Sequence, residues 1–422
     1  MFHPKDSSPR DLIRRSRRLG SALFTALVCL ALSGCSSWLD GPQSTLAVDG
    51  PVARAQLNLF YTTCYVILVI FVLVGGTLAY AMLRFRARSK ADEHAEPPPQ
   101  SHGNPIIELS LVVASLGALV FIAVPTIKDI WFDYDVPKAE RAEALQIVAT
   151  GHQWWWQFQY PQVEVKLPYG GQAPLATANE LVIPVGKPVH IELRTADVIH
   201  SFWVPKLAGK VDMIPNRANH MWLQADKAGY YYGQCAQYCG LSHAVMRFRV
   251  IALPEAEYKA WLANQVKPAH TVTGPEPAHV EQTVFKHYKQ NQFGFSDKWM
   301  ATSPTSTLNL WRAKQLPNPN EDPALIAKGR KLFQAKTCFA CHTIRGHEGI
   351  GVTGPDLTHV GARSTIAGGL LENTPSEMAR WISHPNLVKP GNIMYESGYI
   401  PNHITFQSGD VAALVAYLQS LK

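Results

Sequence analysis

Three observations predict a multidomain membrane protein: a two-helix transmembrane hairpin, an all-β sandwich or barrel, and an all-α terminal domain. Leu57 to Leu83 and Leu109 to Ile127 contain no charged residue, and each run is long enough to cross a bilayer. From Glu143 the texture changes to short β-type runs broken by Gly and Pro. After Ala324 helical periodicity returns in ALIAKGRKLFQ and SGDVAALVAYLQSL. A chain of 422 residues can bury several cores, so its seven cysteines are not needed as small-protein staples. Cys235 with Cys239 and Cys338 with Cys341 form two close pairs without long-range partners, which is a poor disulfide framework.

The chain begins with RRSRRLGSALFTALVCLALSGC, which passes from basic to apolar to small residues as an export signal does. Leu32-Ser33-Gly34-Cys35 resembles a bacterial lipobox, so residues 1–34 are expected to be a lipoprotein-type signal peptide and Cys35 a lipid-modified N-terminus. Residues 35–56 then form an outer N-terminal segment, 57–83 the first span, 84–104 a cytoplasmic loop and 105–130 the second span. RFRARSK lies in that loop, and positive charge beside spans marks the cytoplasmic side. Everything after Lys128 returns to the outside, in agreement with the export signal. The net charge is +7, but six cations against two carboxylates lie within residues 1–34. No basic cluster interleaved with aromatics follows, so no nucleic-acid partner is expected.

Residues 131–265 contain ALQIVATGHQWWWQFQYP, ELVIPVGKPVHIELRT, NHMWLQADKAGYYYGQC and MRFRVIAL, the close-spaced strands of a β-sandwich or barrel. Between the last two strands lies QCAQYCGLSHAVM, Gln234 to Met246. A disulfide, a zinc site, a thiol redox centre and a copper site all remain open on this stretch alone. Thiolate, thioether and imidazole together favour copper, because structural zinc is built from Cys and His without Met. ADVIHSFWVP offers His200 from another loop. The set is then His200, Cys235, Cys239, His243 and Met246. One blue copper needs a single Cys, so the second thiolate is surplus for one metal and could bridge to a second.

PEAEYKAWLANQ reads as a short helix closing this domain. Residues 266–322, rich in Pro, His and Gln and including the aromatic patch HYKQNQFGFSDKWM, read as a linker. Residues 323–422 form the final domain. There Cys338-Phe339-Ala340-Cys341-His342 is the pattern for covalent attachment of a c-type haem, with His342 as the proximal iron ligand. Met394, in the Pro/Gly-rich loop KPGNIMY, is preferred as the distal ligand over Met378, which sits at helical spacing in PSEMARWISH. Gly354-Pro355 should bring a backbone carbonyl to the free ring nitrogen of His342.

With these residues in place, GHQWWWQFQYP, DVIHSFWVP, YYGQCAQYCGLSHAVM, GPDLTHVGAR and HPNLVKPGNIM resemble subunit II of the haem–copper cytochrome c oxidases, of the caa type with a fused cytochrome c. The resemblance covers nearly all of the mature chain and implies a cupredoxin domain with a binuclear copper centre, CuA. Carried over, Cys235 and Cys239 bridge both coppers, His200 and His243 bind one each, and Met246 and the Gln237 carbonyl are weak ligands. Trp154 corresponds to the aromatic residue through which electrons arrive, and Glu108 to a carboxylate at the mouth of a proton path. The family usually has Glu where this chain has Gln237. A Gln keeps the carbonyl and loses the charge, which puts a magnesium or manganese ion at the subunit interface in question.

The implied function is electron delivery to an oxygen-reducing, proton-pumping complex. Electrons from a cytochrome c or bc complex reach the haem c, then CuA, then haem a and CuB of subunit I, with subunit III as a further partner. No oxygen-reducing site belongs to this chain, because each inferred metal is filled by protein ligands. The location is the bacterial inner membrane with both cofactor domains on the periplasmic face. A tethered cytochrome makes delivery intramolecular, at a concentration set by the linker. Two alternatives are the CuA subunit of a nitrogen-oxide reductase and a membrane-anchored copper chaperone. The strand-rich context and the attached His243 and Met246 disfavour the chaperone.

Overall fold

The computed structural model describes residues 39–86, 96, 102–273 and 304–422. The export signal, Cys35, most of RFRARSK and the aromatic patch within 287–300 lie outside the described residues.

The two apolar runs form α1, Pro51–Arg84, and α2, Pro105–Tyr134, each longer than its uncharged stretch. Pro at the first turn suits both helix starts, and the Asn104 side chain caps α2 by accepting from the Ile106 and Ile107 amides. Their apolar side chains face outward; Phe71 is 71% and Leu111 63% exposed, as expected where lipid supplies the covering. Residues 39–50 run back along the β-domain, with the Asp49 amide donating to the Lys206 carbonyl at 2.8 Å. In the last turn of α2, the Phe132 carbonyl accepts from the Trp222 indole at 2.8 Å. The start of α1 and the end of α2 therefore both meet the β-domain.

That domain has ten strands: β1 Leu145–His152, β2 Trp155–Lys166, β3 Gln172–Ala178, β4 Glu180–Pro184, β5 Val189–Thr195, β6 His200–Trp203, β7 Lys210–Met213, β8 Asn219–Leu223, β9 Gly229–Cys235 and β10 Arg247–Leu253. They form two five-stranded sheets, ordered β3-β2-β1-β5-β8 and β4-β10-β9-β6-β7. β1 pairs with β5, and β4 with β10, in parallel; the other pairs are antiparallel. Inward-facing Trp156, Phe158, Phe202 and Phe248 fill the space between the sheets, and the Phe202 and Phe248 rings stack at 4.5 Å. Each buried ring contributes about 1.5–3 kcal/mol from area removed from water. Gly233 leaves room for this: a Cβ there would stand 2.2 Å from the Phe248 ring.

Register places the ligands. Phe202 pairs with Cys235 and Gln234 with Arg247, so the start of β6, the end of β9 and the start of β10 meet at one edge of the second sheet. His200, Cys235 and Met246 arrive there together, and Ala236 to Val245 loop over that edge.

α3, Glu255–Gln265, closes the domain as the sequence predicts. Part of the expected linker is folded. Within 266–322, residues Pro304–Lys314 form α4, whose Leu308 and Trp311 are buried in the β-domain core, and Ala269 is buried in the terminal domain. Two apolar side chains at helical spacing in a polar, Pro-rich stretch gave too weak a period to reveal α4.

The terminal domain packs α5, Pro323–Ala335, against α8, Asp410–Ser420. Gly329 permits their crossing, since a Cβ there would lie 2.0 Å from the Ala413 carbonyl oxygen. Between them come α6 Pro375–Ser383, α7 Pro385–Val388 and a two-stranded hairpin of β11 Thr365–Ile366 and β12 Leu371–Glu372. This domain is docked on the β-domain. Glu180, buried at the join, accepts from the Ser364 amide at 2.6 Å and from the Trp311 indole at 3.0 Å. Arg345 donates to the Gln265 and Val266 carbonyls, and the Arg247 amide to the Gly368 carbonyl at 2.8 Å. A tether that only sets a concentration does not describe this arrangement; buried polar pairs hold the two domains in one register.

Candidate metal centre and haem cavity

The six atoms expected around copper converge on the loop above β6, β9 and β10. Cys235 Sγ lies 3.8 Å from Cys239 Sγ, 3.9 Å from His200 Nδ1 and 3.2 Å from the Gln237 carbonyl. Cys239 Sγ lies 3.6 Å from His243 Nδ1 and 3.8 Å from Met246 Sδ. Both sulfurs are thus at the centre, with one imidazole beside each. Among the described residues, His200, Cys235 and Cys239 form the group of His, Cys or carboxylate side chains close enough to share a metal. Thiolate, imidazole and thioether donors gathered in this way fit copper.

Electrostatics act differently on each member of the set. The hydrogen bond between the two sulfurs pulls Cys235 well below the usual thiol range, and the same bond, with burial, pushes Cys239 up. Burial works against charge on His200, but hydrogen bonds to Asp197 and Cys235 outweigh it and raise its pKa. Asp197 is the residue that sequence reasoning missed. Its Oδ1 is 2.8 Å from His200 Nε2, which commits that nitrogen and leaves Nδ1 for the metal. Asp197 also accepts from the Gln153 amide at 2.7 Å, so one carboxylate orients a ligand and anchors the turn leading to Trp154. Its position three residues before His200 in ADVIH was the available signal.

Gln237 is exposed, so its side chain lies outside the cluster while its carbonyl faces Cys235. Glu108 lies in the exposed first turn of α2, at the opposite end of that helix from the β-domain, and approaches neither cofactor site.

In the terminal domain a cavity of about 350 Å³ is lined by Cys338, Cys341, His342, Met378 and Met394. Neither cysteine is held in a disulfide, so both sulfurs are available for covalent haem attachment. His342 Nδ1 lies 2.9 Å from the Pro355 carbonyl, which leaves Nε2 as the ligand atom. Burial lowers the pKa of this imidazole, favouring the neutral, ligating form. Gly354 allows the close approach, because a Cβ there would stand 2.6 Å from His342 Cε1. Met394 opens a π-helical turn, Met394–Tyr399, and is not part of an irregular loop as expected; Met378 is 2% exposed within α6.

The same cavity is walled on one side by the β-domain, through Gln153, Trp154 and Trp155. The Trp154 indole donates to the Cys239 carbonyl at 2.9 Å, and the Gln153 side chain donates to it at 2.8 Å. One tryptophan therefore touches both the copper loop and the haem cavity.

Residues 145–253 match the family described as cytochrome c oxidase subunit II, periplasmic domain, and residues 326–422 match the cytochrome c family. A cytochrome c oxidase subunit 2 of Alkalihalophilus pseudofirmus is 32% identical over 94% of this chain and 95% of its own length. The chain belongs to the cytochrome c oxidase subunit 2 family. The subunit 2 of Bacillus subtilis is 29% identical over 95% of this chain and 97% of its own. The periplasmic domain of subunit II of Bradyrhizobium japonicum is similar at 34% identity, covering 31% of this chain and 96% of that one with a TM-score of 0.26.

As a subunit 2, this chain is a component of an oxidoreductase complex and works with subunit I. Its two matched domains imply CuA in the β-domain and haem c in the terminal domain. Its two apolar helices and its periplasmic-type domain fit a membrane-anchored subunit with that domain outside.

Proposed function

We propose that this chain accepts electrons from a donor at its cytochrome domain and delivers them through its copper-binding domain to subunit I, where oxygen is reduced and protons are pumped. Both bound cofactors supply one-electron redox chemistry, while the protein sets their distance and surroundings. The observation that carries this reading is Trp154. Its ring walls the haem cavity and its indole N–H holds the Cys239 carbonyl, so a single side chain spans the gap between the two sites.

The residues around it have separable tasks. Cys235 and Cys239 would present two sulfurs to copper, His200 and His243 one nitrogen each, and Met246 and the Gln237 carbonyl weaker donors. Asp197 and Pro355 fix the rings of His200 and His342. Gln237 brings no carboxylate, so magnesium or manganese at the subunit interface is not part of this reading. Glu108 is retained as the mouth of a proton path, on its place at the membrane edge.

The test is Cys239→Ser in the assembled complex. The donor should still reduce a covalently bound haem, because Cys338 and Cys341 belong to a separate core, while the copper signal and oxygen uptake are lost. Oxygen uptake at the parental rate without copper would overturn the proposal.

A further inference from the structure

Lys389 is 2% exposed and lies where the two cofactor domains meet. Its Nζ donates to carbonyls on three residues: Trp154 at 2.5 Å, Ala367 at 3.0 Å and Val245 at 3.3 Å. These come from three separate segments. Trp154 belongs to the β1–β2 turn that walls the haem cavity, Val245 to the copper loop, and Ala367 to the β11–β12 hairpin of the cytochrome domain. A lysine has three N–H donors and no acceptor, so this arrangement uses all of them.

The position is built around that contact. Lys389 precedes Met394 by five residues, on the segment that brings Met394 to the haem cavity. In the adjoining residue, the Pro390 carbonyl accepts from Ser242 of the copper loop at 2.8 Å. Three glycines let the backbones close on Trp154. A Cβ at Gly368 would lie 2.5 Å from the Trp154 carbonyl oxygen, one at Gly240 3.0 Å from its ring, and one at Gly391 3.1 Å from its ring. All three have positive φ, the left-handed region that a side chain disfavours. Gly368 and Gly391 come from the cytochrome domain and Gly240 from the copper loop. Trp154 is thus held at its carbonyl by the cytochrome domain and at its indole N–H by the Cys239 carbonyl.

We propose that Lys389 is a positioning residue for electron transfer between the two cofactor sites, fixing Trp154 and the copper loop against the haem cavity through its three carbonyl contacts. Burying an ammonium is costly unless its donors are satisfied, and breaking such a contact leaves the remaining groups unpaired. A lysine kept here therefore makes the docked register strongly preferred over small displacements. The inference rests on the electron path proposed above.

The experiment uses the full-length chain in its assembled oxidase, carrying Lys389→Met or Lys389→Arg, with covalent haem and copper content measured first. Electrons are injected photochemically at the haem, and transfer to copper is followed optically. Loosening the contacts that seat Trp154 between the two sites lengthens the path, so Lys389→Met should slow this step severalfold. Lys389→Arg, which keeps the charge and donors on a larger planar head, should be slowed less than Lys389→Met. Hydrogen exchange is read in parallel at the Arg247 amide, which donates to Gly368 across the same interface; it should speed up in Lys389→Met and not in Lys389→Arg. If Lys389→Met does not assemble, Lys389→Gln, with two N–H donors and no charge, takes its place. Parental transfer in the neutral variant, or equal slowing in both variants, would overturn the role of Lys389 and leave the electron path intact. A parent protein that passes no electrons from haem to copper would overturn both.

Discussion

Removing the Asp197 carboxylate should weaken copper binding without emptying the haem cavity. Asp197 Oδ1 lies 2.8 Å from His200 Nε2 and holds the one copper-side imidazole that is fully buried. Asp197→Ala frees that ring to rotate and to change its tautomer, so Nδ1 is no longer held toward the sulfurs. Loss of such an outer partner typically costs about 10–100-fold in metal affinity, or roughly 1.4–2.8 kcal/mol. The carboxylate also anchors the Gln153 amide, so the larger value is expected. Asp197→Asn keeps an oxygen acceptor for His200 and should fall near the smaller value. The assay is copper retention in the purified full-length chain against rising chelator, read by metal content and paramagnetic resonance. Copper held as tightly in Asp197→Ala as in the parent would refute the positioning argument. Simultaneous loss of covalent haem would show that the variant had unfolded more widely.

Met394→Ala should lower the haem potential and open the iron to carbon monoxide while the haem stays attached; the same effect from Met378→Ala would reassign the distal ligand. Met246→Leu should keep two coppers with a shifted potential, since a weak axial donor tunes the metal, and loss of all copper would contradict that. His347 has its pKa lowered from 6.5 to about 4, chiefly by burial and then by Arg330. The unfolded chain therefore binds more protons than the folded one across that interval, so stability is present above about 6.5 and declines as pH falls toward about 4. Thermal unfolding of the cytochrome domain should shift downward from pH 7 to pH 5, and His347→Gln should flatten the shift. A melting temperature that rises on acidification would refute this sign.

Contacts between domains were the least legible part of the chain. Lys389 meets Trp154 across 235 positions, and Glu180 meets Ser364 across 184. Nothing local distinguishes either residue from a solvated surface charge. Helix α4 stayed hidden for a related reason: Leu308 and Trp311 become core only because the β-domain lies beneath them. Asp197 was nearer to view, yet its role depends on which nitrogen of His200 faces the sulfurs, and that is set by the register of β6 against β9.

By contrast, the sequence by itself determined the two long apolar helices, the two cofactor chemistries that the matched domains imply, and the donor-rich segments proposed to hold them. Uncharged runs long enough to span a bilayer have few other uses, and Cys235 to Met246 and Cys338 to His342 pack their donors into short segments. Short-range chemistry is written in residue type and spacing. Tertiary structure alone decided that the cytochrome domain is docked, that Trp154 borders both sites and that Lys389 joins them. Those facts depend on burial and on pairing between distant backbones, where a group's environment, more than its identity, determines what it does.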